Sequence, residues 1–330
     1  MKTLTTLNSI NFTQIELNGF TVDEIWNSIF ISKNRAIDFG ILSYNILYDK
    51  KEGESFILRK FFSRGQFILG ASPSLSPIGL RRGFLDPLYN SKNIIPELQD
   101  KSIDLVITSP PYNIDLGNNK YNKNPYDIYK DNISHNEFIK NLKEIFSKLY
   151  SKMKIGGRIA INISNGKNGK IPTVSDTIQM MTKDLEYLPF SIIVWDKQQT
   201  SNRAAWGSFL SPSSPSFPSP FEFILIFSKE SLKLQEKGET DLTKEEFVEW
   251  AYGIWKFKPE TKMKRFNHPA MFPEELPKRL IKMLSWTNAT VLDPFNGAGT
   301  TTKVAKDLNR QYIGIDLSEK YCKTARDRLL

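Results

Sequence analysis

Short apolar segments typical of strands alternate with amphipathic segments typical of helices from about residue 102 to the end of the chain. Residues 104–109 (DLVITS) and 158–163 (RIAINI) have the continuous, β-branched character of buried strands. Between them, a Ser134-x-x-Glu137 capping box begins a helix, and the spacing predicts that this helix ends at Gly156-Gly157. Its apolar positions, which share one face, are Phe138, Leu142, Ile145, Phe146 and Leu149.

The same alternation continues to the C-terminus. Further strands are predicted at residues 191–195, 221–227, 290–292 and 312–315, and further helices at 173 onward, 276–284, 301–308 and from Ser318 to the end. Strands that alternate with helices of this length indicate an α/β fold: a mostly parallel sheet with helices on both faces. Residues 1–95 do not follow this rhythm, and residues 211–220 (SPSSPSFPSP) predict a loop because proline excludes both helix and central strand.

Composition limits the class of protein and of partner. Forty-five basic residues against 36 acidic ones give a net charge of +9, which is compatible with nucleic acid as partner. The single cysteine, Cys322, and two histidines argue against an internal disulfide and a Cys/His zinc site, so we assign no metal site. No apolar run approaches the roughly 18 residues that span a bilayer, so we expect no membrane partner and a cytoplasmic location.

A glycine turn occupies residues 293–302 (DPFNGAGTTT), between a predicted strand and a predicted helix. Gly297 and Gly299 allow a tight turn and close approach of a ligand to the backbone. Asp316 ends the next strand, nineteen residues after Gly297, the spacing at which an acid receives ribose hydroxyls in a βαβ nucleotide site. An ordinary strand–turn–helix with a chance acid remains the alternative.

Two features of this turn favour one class of nucleotide ligand. Thr302 stands where a dinucleotide motif has its third glycine, and Asp293 at the strand end would repel a pyrophosphate. A ligand with an ammonium group, a ribose and no phosphate suits the turn better. S-adenosylmethionine is such a ligand, so we predict it in preference to a nicotinamide dinucleotide.

A second turn, residues 108–113 (TSPPYN), follows the buried strand at 104–109 and therefore lies at the carboxyl end of the sheet. Two prolines make the turn rigid, so the Ser109 hydroxyl and the Pro110 carbonyl can both accept hydrogen bonds from an exocyclic amine. Tyr112 can stack on a base lifted from a duplex. A surface turn with a packing tyrosine is the alternative.

The two turns, TSPPYN followed by DPFNGAGT, resemble the β-class amino-methyltransferases of prokaryotic DNA modification, of the restriction-modification type. The resemblance covers about residues 96–330, which we assign to a Rossmann-like catalytic domain. Segments that look like further family motifs are 156–159 (GGRI), 194–197 (VWDK), 221–229 (FEFILIFSK) and 268–276 (HPAMFPEEL).

The resemblance implies a role for each motif residue. Ser109, Pro110, Pro111 and Tyr112 would form the catalytic turn, and residues 268–272 would close over the methionine end of the cofactor. The residues expected to bind S-adenosylmethionine are Asn90, Asp293, Phe295, Asn296, Gly297, Gly299, Thr300 and Asp316. Asn90 departs from the family, which often has Gly-Asp where this chain has Tyr89-Asn90.

Duplex DNA is the substrate that the resemblance implies, and a basic segment offers contacts to it. Residues 256–265 (KFKPETKMKR) hold Lys256, Lys258, Lys262, Lys264 and Arg265. Aromatic residues precede this segment at 250, 252 and 255, so both a DNA-contacting surface and a packed aromatic cluster beside a solvated basic face remain open. Residues 230–267 are the candidate target-recognition segment, and residues 1–95 are a second candidate.

Several alternatives remain at this point. Ser-Pro-Pro-Tyr goes mostly with cytosine N4 in the resemblance and Asp-Pro-Pro-Tyr with adenine N6, so we expect cytosine N4 in a flipped-out base, with adenine N6 second. A nucleotide-dependent oxidoreductase would leave the SPPY turn unused, and an inactive DNA-binding module would not need it. A cognate restriction endonuclease, a homodimer and association with the nucleoid are further expectations.

Overall fold

The core of the protein is a mostly parallel sheet of eight strands, counted among the residues that the structure describes. The computed structural model describes residues 91–116, 125–198, 207–217, 219–261, 263–266 and 268–330, together with the backbone of six strands between residues 2 and 67. The strands are β1 (Lys2–Leu4), β2 (Glu16–Leu17), β3 (Phe20–Thr21), β4 (Ile41–Asp49), β5 (Ser55–Phe62), β6 (Gln66–Phe67), β7 (Ile103–Thr108), β8 (Met153–Ile163), β9 (Leu188–Asp196), β10 (Phe221–Ser228), β11 (Ile254–Lys256), β12 (Thr290–Asp293) and β13 (Gln311–Gly314).

Helices connect most of the strands of this sheet. They are α1 (Ser91–Ile94), α2 (His135–Lys152), α3 (Gly166–Gly169), α4 (Thr173–Gln179), α5 (Lys244–Trp250), α6 (Glu275–Leu284), α7 (Thr300–Asp307) and α8 (Glu319–Asp327). A π-helical turn (Met180–Asp184) extends α4, and 3₁₀ turns occur at Ile95–Glu97 and Met263–Phe266. Ser134 caps α2 by accepting a hydrogen bond from the backbone N–H of Glu137, as the capping box predicts.

The strand order is β11-β9-β10-β8-β7-β12-β13-β6, and only β10 runs antiparallel to its neighbours. After β7 the chain continues to β8 on one side, whereas after β12 it continues to β13 on the other. Since β7 and β12 are neighbours, their carboxyl ends form the switch point at which open α/β sheets bind ligands. The α/β fold predicted from the sequence is confirmed.

Successive side chains of the central strands pack on opposite faces of the sheet. Val106 of β7 joins the core beneath α2, whereas its neighbours Leu105 and Ile107 join the core beneath α6 and α7. Ile103 lies on the same face as Val106 because the pairing of β7 with β8 is irregular between Ile103 and Leu105. Both faces are therefore covered by helices, which explains why these strands read as continuous apolar runs and not as alternating ones.

One predicted helix end was wrong. Helix α2 ends at Lys152, and Gly156-Gly157 lie inside β8, where Gly156 has φ +80° and approaches the backbone of Lys233. Residues just before the predicted domain boundary at 96 pack on the same sheet: Ile94 and Ile95 are buried in the core, and the Ser91 hydroxyl donates to the Pro294 carbonyl. Of residues 1–90 the structure describes strands only: β1, β4 and β5 form a small antiparallel sheet, and β6 pairs with β13.

Candidate active site

A cavity of about 590 Å³ opens at the carboxyl ends of β7 and β12. The two turns singled out in the sequence meet there, although about 180 residues separate them along the chain. The predicted residues that line the cavity are Ser109, Pro110, Pro111, Tyr112, Asp293, Phe295, Asn296, Gly297, Thr300 and Asp316. The volume lies in the range of small-molecule sites.

Asp293 ties the two strands together at the base of the cavity. Its carboxylate accepts hydrogen bonds from the Thr108 hydroxyl (2.8 Å), the Thr301 hydroxyl (2.7 Å) and the backbone N–H of Phe295 (3.0 Å). The side chain is 2% exposed, and this burial raises the pKa of Asp293 to about 6. The three donors keep the carboxylate in place, so Asp293 organises the turn as well as facing the cavity.

Asp316 holds the glycine turn from the next strand. One carboxylate oxygen accepts from the backbone N–H of Gly297 (2.8 Å) and the other from that of Ser318 (2.9 Å). Burial raises the pKa of Asp316 to about 6, and the two amides work in the opposite direction. Gly297 has φ +50°, and a Cβ there would lie 2.6 Å from His268 Nε2, so both its conformation and its surroundings require glycine.

Gly299 is the exception among the candidate cofactor residues that the structure describes. It does not line the cavity but caps the N-terminus of α7 with φ +80°, and a Cβ there would lie 2.6 Å from the Ala325 Cβ. This glycine is needed for helix packing.

Three rings form one wall of the cavity. His268 lies 4.5 Å from Tyr321 and 5.9 Å from Tyr126, measured between ring centroids. Burial lowers the pKa of His268 to about 4, so the imidazole is neutral at neutral pH. Its Nδ1 accepts from the backbone N–H of Ala270 (3.3 Å), which orients the ring.

The SPPY turn is backed by polar residues that the sequence analysis did not single out. The Ser109 hydroxyl donates to the Tyr112 oxygen (3.1 Å), and the Tyr112 hydroxyl donates to Glu222 Oε2 (2.8 Å). Asn162 and Lys197 complete the group through bonds to Glu222 of 2.7 and 2.8 Å. Glu222 and Lys197 lie inside motifs already recognised in the sequence, which was the available signal, but no spacing pointed to their contact.

The basic segment runs along the rim of the same cavity. Lys256, Lys258 and Arg265 are exposed, and Pro259, Glu260 and Met263 between them line the cavity. Lys262 and the side chain of Lys264 lie outside the described residues, as does Asn90.

The aromatic residues before this segment differ in burial, which bears on whether they contact DNA or form a packed cluster. Trp250 and Trp255 are buried and surround the Arg279 guanidinium at 5.3 and 5.5 Å, so they are packing residues and not DNA contacts. Tyr252 is 70% exposed.

The first part of the candidate target-recognition segment lies at the opposite end of the sheet. The Arg310 guanidinium, just before β13, forms a bidentate pair with Asp241 (2.6 and 2.9 Å). The Trp286 indole, just before β12, donates to the Glu236 carbonyl (2.8 Å). Because parallel strands begin at one edge and end at the other, residues 236–241 are remote from the cavity.

Comparison with known proteins decides the family. The N6_N4_Mtase model, which describes a DNA methylase, matches residues 103–327, about two thirds of the chain. The chain belongs to this family of DNA methylases.

Individual relatives of this methylase agree with the assignment. It is 30% identical over 263 residues to the type II methyltransferase M.MjaI of Methanocaldococcus jannaschii, covering 70% of this chain and 86% of the relative. It is 38% identical over 176 residues to M.MjaVI of the same organism, covering 53% and 87%. A Thermus thermophilus protein described as a DNA modification methylase, solved with S-adenosyl-L-methionine, is 25% identical, covers 73% of this chain and 90% of its own, and superposes with a TM-score of 0.57.

The methylase is thus an S-adenosylmethionine-dependent DNA amino-methyltransferase of the N4/N6 group, and it belongs to the restriction-modification type. Its cavity fits that cofactor: two buried acids, Asp293 and Asp316, suit a cationic ligand, and the missing Cβ of Gly297 leaves room at the backbone. Within the part of the chain that the structure describes, two lysines line the cavity, Lys92 and Lys197, and both form ion pairs with glutamates. No helix among the described residues has the length and apolar character to cross a bilayer.

Proposed function

We propose that this methyltransferase acts on the N4 amine of cytosine in duplex DNA, with the target base flipped out of the helix. The observation that carries the proposal is the residue at the first position of the turn, Ser109, whose hydroxyl donates to Tyr112 and so leaves its lone pairs for an amine. In the family that this chain resembles, serine at this position goes mostly with cytosine. Adenine N6 is the alternative that the experiment below distinguishes.

In this proposal the catalytic turn binds and orients the target amine. The Ser109 hydroxyl and the Pro110 carbonyl accept its two N–H groups, which localises the nitrogen lone pair that ring conjugation otherwise withdraws. Pro111 keeps the turn rigid, and the ring of Tyr112 stacks on the base. S-adenosylmethionine supplies an electrophilic methyl group, and the nitrogen attacks it directly with no covalent enzyme intermediate.

The glycine turn holds the cofactor in this proposal. Asp316 receives the ribose hydroxyls, and the backbone of Gly297 with Asn296 and Thr300 lies against the adenosine and methionine portions. Phe295 packs beside them, and Asp293 contributes negative charge near the cationic end. This placement of S-adenosylmethionine is supported by the two acids, Asp293 and Asp316, which suit a cationic ligand that has a ribose and carries no phosphate.

The basic segment contacts the DNA backbone, and Lys256, Lys258 and Arg265 supply the charge for phosphate contacts. A nucleoid location follows from such binding. Two partners stay predictions: a cognate restriction endonuclease that cuts the same site, and a second copy of this chain in a homodimer.

Mass spectrometry of nucleosides tests the target base. Mixed genomic DNA is incubated with the protein and S-adenosylmethionine, digested and analysed, with Tyr112→Ala as the inactive control. We expect N4-methylcytosine in the wild-type reaction alone. N6-methyladenine instead would overturn the assignment of the base, and no methylated base with bound cofactor would overturn the proposed activity.

A further inference from the structure

An ion pair lies behind the catalytic turn at the rear of the cavity. Lys197 follows β9 and Glu222 is the second residue of β10, and Lys197 Nζ lies 2.8 Å from Glu222 Oε1. The two side chains are only 19% and 14% exposed. The roles assigned so far to the catalytic turn do not use either charge. Desolvating an ion pair costs free energy, which is offset only where the geometry is good and the remaining lone pairs are hydrogen-bonded.

Glu222 determines which way the Tyr112 hydroxyl points. A carboxylate can only accept hydrogen bonds, so the 2.8 Å contact requires the Tyr112 proton to lie toward Glu222 Oε2. Burial, reinforced by the charge of Glu222, raises the pKa of Tyr112 well above its usual value, so the phenol keeps this proton.

With its proton committed, the Tyr112 oxygen can only accept. It accepts from Asn162 Nδ2 at 2.7 Å and from the Ser109 hydroxyl at 3.1 Å. Asn162 is 2% exposed, and its Nδ2 also donates to Glu222 Oε2 at 2.7 Å. The opposite amide orientation would put the Asn162 oxygen against the carboxylate, so the direction of this contact is fixed as well.

Ser109, the first residue of the SPPY turn, needs a partner that accepts its proton, because a hydroxyl can donate a hydrogen bond as well as accept one. The exocyclic amine of a base offers N–H donors, and its lone pair is reserved for the methyl group. A hydroxyl proton aimed at the amine would face those donors. A carboxylate would be an acceptor in every orientation, whereas a hydroxyl becomes one only when its proton is engaged elsewhere.

We propose that Glu222 is a positioning residue: it fixes the direction of the chain Ser109→Tyr112→Glu222, so that Ser109 presents only acceptor lone pairs to the target amine. Lys197 balances the charge of Glu222 and occupies its other oxygen. This inference rests on the proposed function, because it takes an amine on the base as the group that Ser109 binds.

A double-mutant cycle between Glu222 and Tyr112 tests the proposal by single-turnover rates at saturating DNA and cofactor. We expect Glu222→Gln to lower the rate at least tenfold: the Lys197 ammonium can only donate, so the Gln oxygen faces Lys197 and the Gln N–H₂ group faces Tyr112, whose hydroxyl then loses its acceptor. Tyr112→Phe, which keeps the ring, should lower it similarly, and the double variant should be no slower than Tyr112→Phe alone. Effects that multiply in the double variant would overturn the proposal.

Controls separate this role from folding and binding. Glu230→Gln removes the charge of a glutamate that is 43% exposed at the far end of β10 and should leave the rate unchanged. For the active-site variants, the thermal midpoint should stay close to that of the wild type. The dissociation constants for DNA and for S-adenosylmethionine should each change less than twofold. If Glu222→Gln does not fold, Tyr112→Phe decides alone, since an unchanged rate in that variant contradicts the proposal.

Neutron diffraction of deuterated crystals provides a readout that does not depend on activity. We expect the Tyr112 deuteron on the side of Glu222 and the Ser109 deuteron on the side of Tyr112. A Ser109 deuteron directed into the cavity would overturn the inference even if the enzyme methylates cytosine. Conversely, a wild-type enzyme that methylates no base, with both deuterons as expected, would overturn the proposed function and not the hydrogen-bond direction.

Discussion

The Thr108 hydroxyl donates a 2.8 Å hydrogen bond to Asp293 Oδ1 and so joins the last residue of β7 to the last residue of β12. Thr108 is fully buried, and the residue after it is Ser109 of the catalytic turn. Asp293 opens the glycine turn. The bond therefore couples the position of the catalytic turn to that of the cofactor turn, at the switch point of the sheet.

Removal of this hydroxyl tests the coupling. Thr108→Val is close in shape and leaves Asp293 with one donor fewer in a buried position, so we expect a loss of about 1–3 kcal/mol in the free energy of unfolding. Weaker binding of S-adenosylmethionine should accompany it in calorimetry. Thr177→Val is the control, because the buried Thr177 hydroxyl donates to the Thr173 carbonyl within α4. The Thr177→Val protein should be less stable than the wild type but should bind S-adenosylmethionine with the wild-type affinity.

The raised pKa of Asp293, about 6, predicts a pH-dependent stability. An unfolded aspartate has a pKa of about 3.9, so between these values the folded state holds a proton that the unfolded state has released. The contribution of Asp293 to stability is therefore present in full below pH 4 and is lost as the pH rises through 6. Relative to Asp293→Asn, the wild type should lose about 3 kcal/mol between pH 4 and pH 7 in urea unfolding. A difference that does not vary with pH would contradict the assignment.

Gly297 should be irreplaceable for two separable reasons. Gly297→Ala introduces a Cβ at φ +50° that lies 2.6 Å from His268 Nε2, so we expect loss of stability together with loss of S-adenosylmethionine binding. Gly169→Ala is the matched control, since Gly169 has φ +86° and a Cβ there would have no atom within 4 Å. Backbone strain of about 1–2 kcal/mol should appear in both variants, but only Gly297→Ala should weaken cofactor binding. Equal cofactor affinity in the two variants would argue against contact at Gly297.

Phosphate contacts by the basic segment predict a change in the salt dependence of DNA binding. Lys256→Ala with Lys258→Ala should reduce the slope of log K against log salt by about 2, one for each lost phosphate contact. The matched pair Lys233→Ala and Lys237→Ala removes the same charge near residues 236–241, at the other end of the sheet, and should leave the slope nearly unchanged. Equal slopes for the two double variants would mean that net charge, and not this surface, drives binding.

The sequence by itself determined the parts of the protein that local patterns encode. The strand at 104–109 follows from its run of apolar side chains, and the helix that begins after Ser134 follows from a capping box and from the spacing of its apolar residues. Each of these signals lies within one strand or one helix. The two turns, SPPY and DPFNGAGT, identified the family before their contact was known, because each is a short contiguous string with its own chemistry.

Tertiary structure alone decided what depends on contacts between distant residues. Gly156-Gly157 looked like a helix end but lie within β8, where pairing with neighbouring strands and the close approach of Lys233 outweigh the local tendency of glycine to end structure. Burial likewise distinguishes Trp250 and Trp255, which pack in the core, from the lysines beside them, which are exposed. Asn162 and Glu222 meet Tyr112, and Lys197 meets Glu222, only because four neighbouring strands (β7, β8, β10 and β9) place these residues at one edge of the sheet, and no spacing along the chain encodes that convergence.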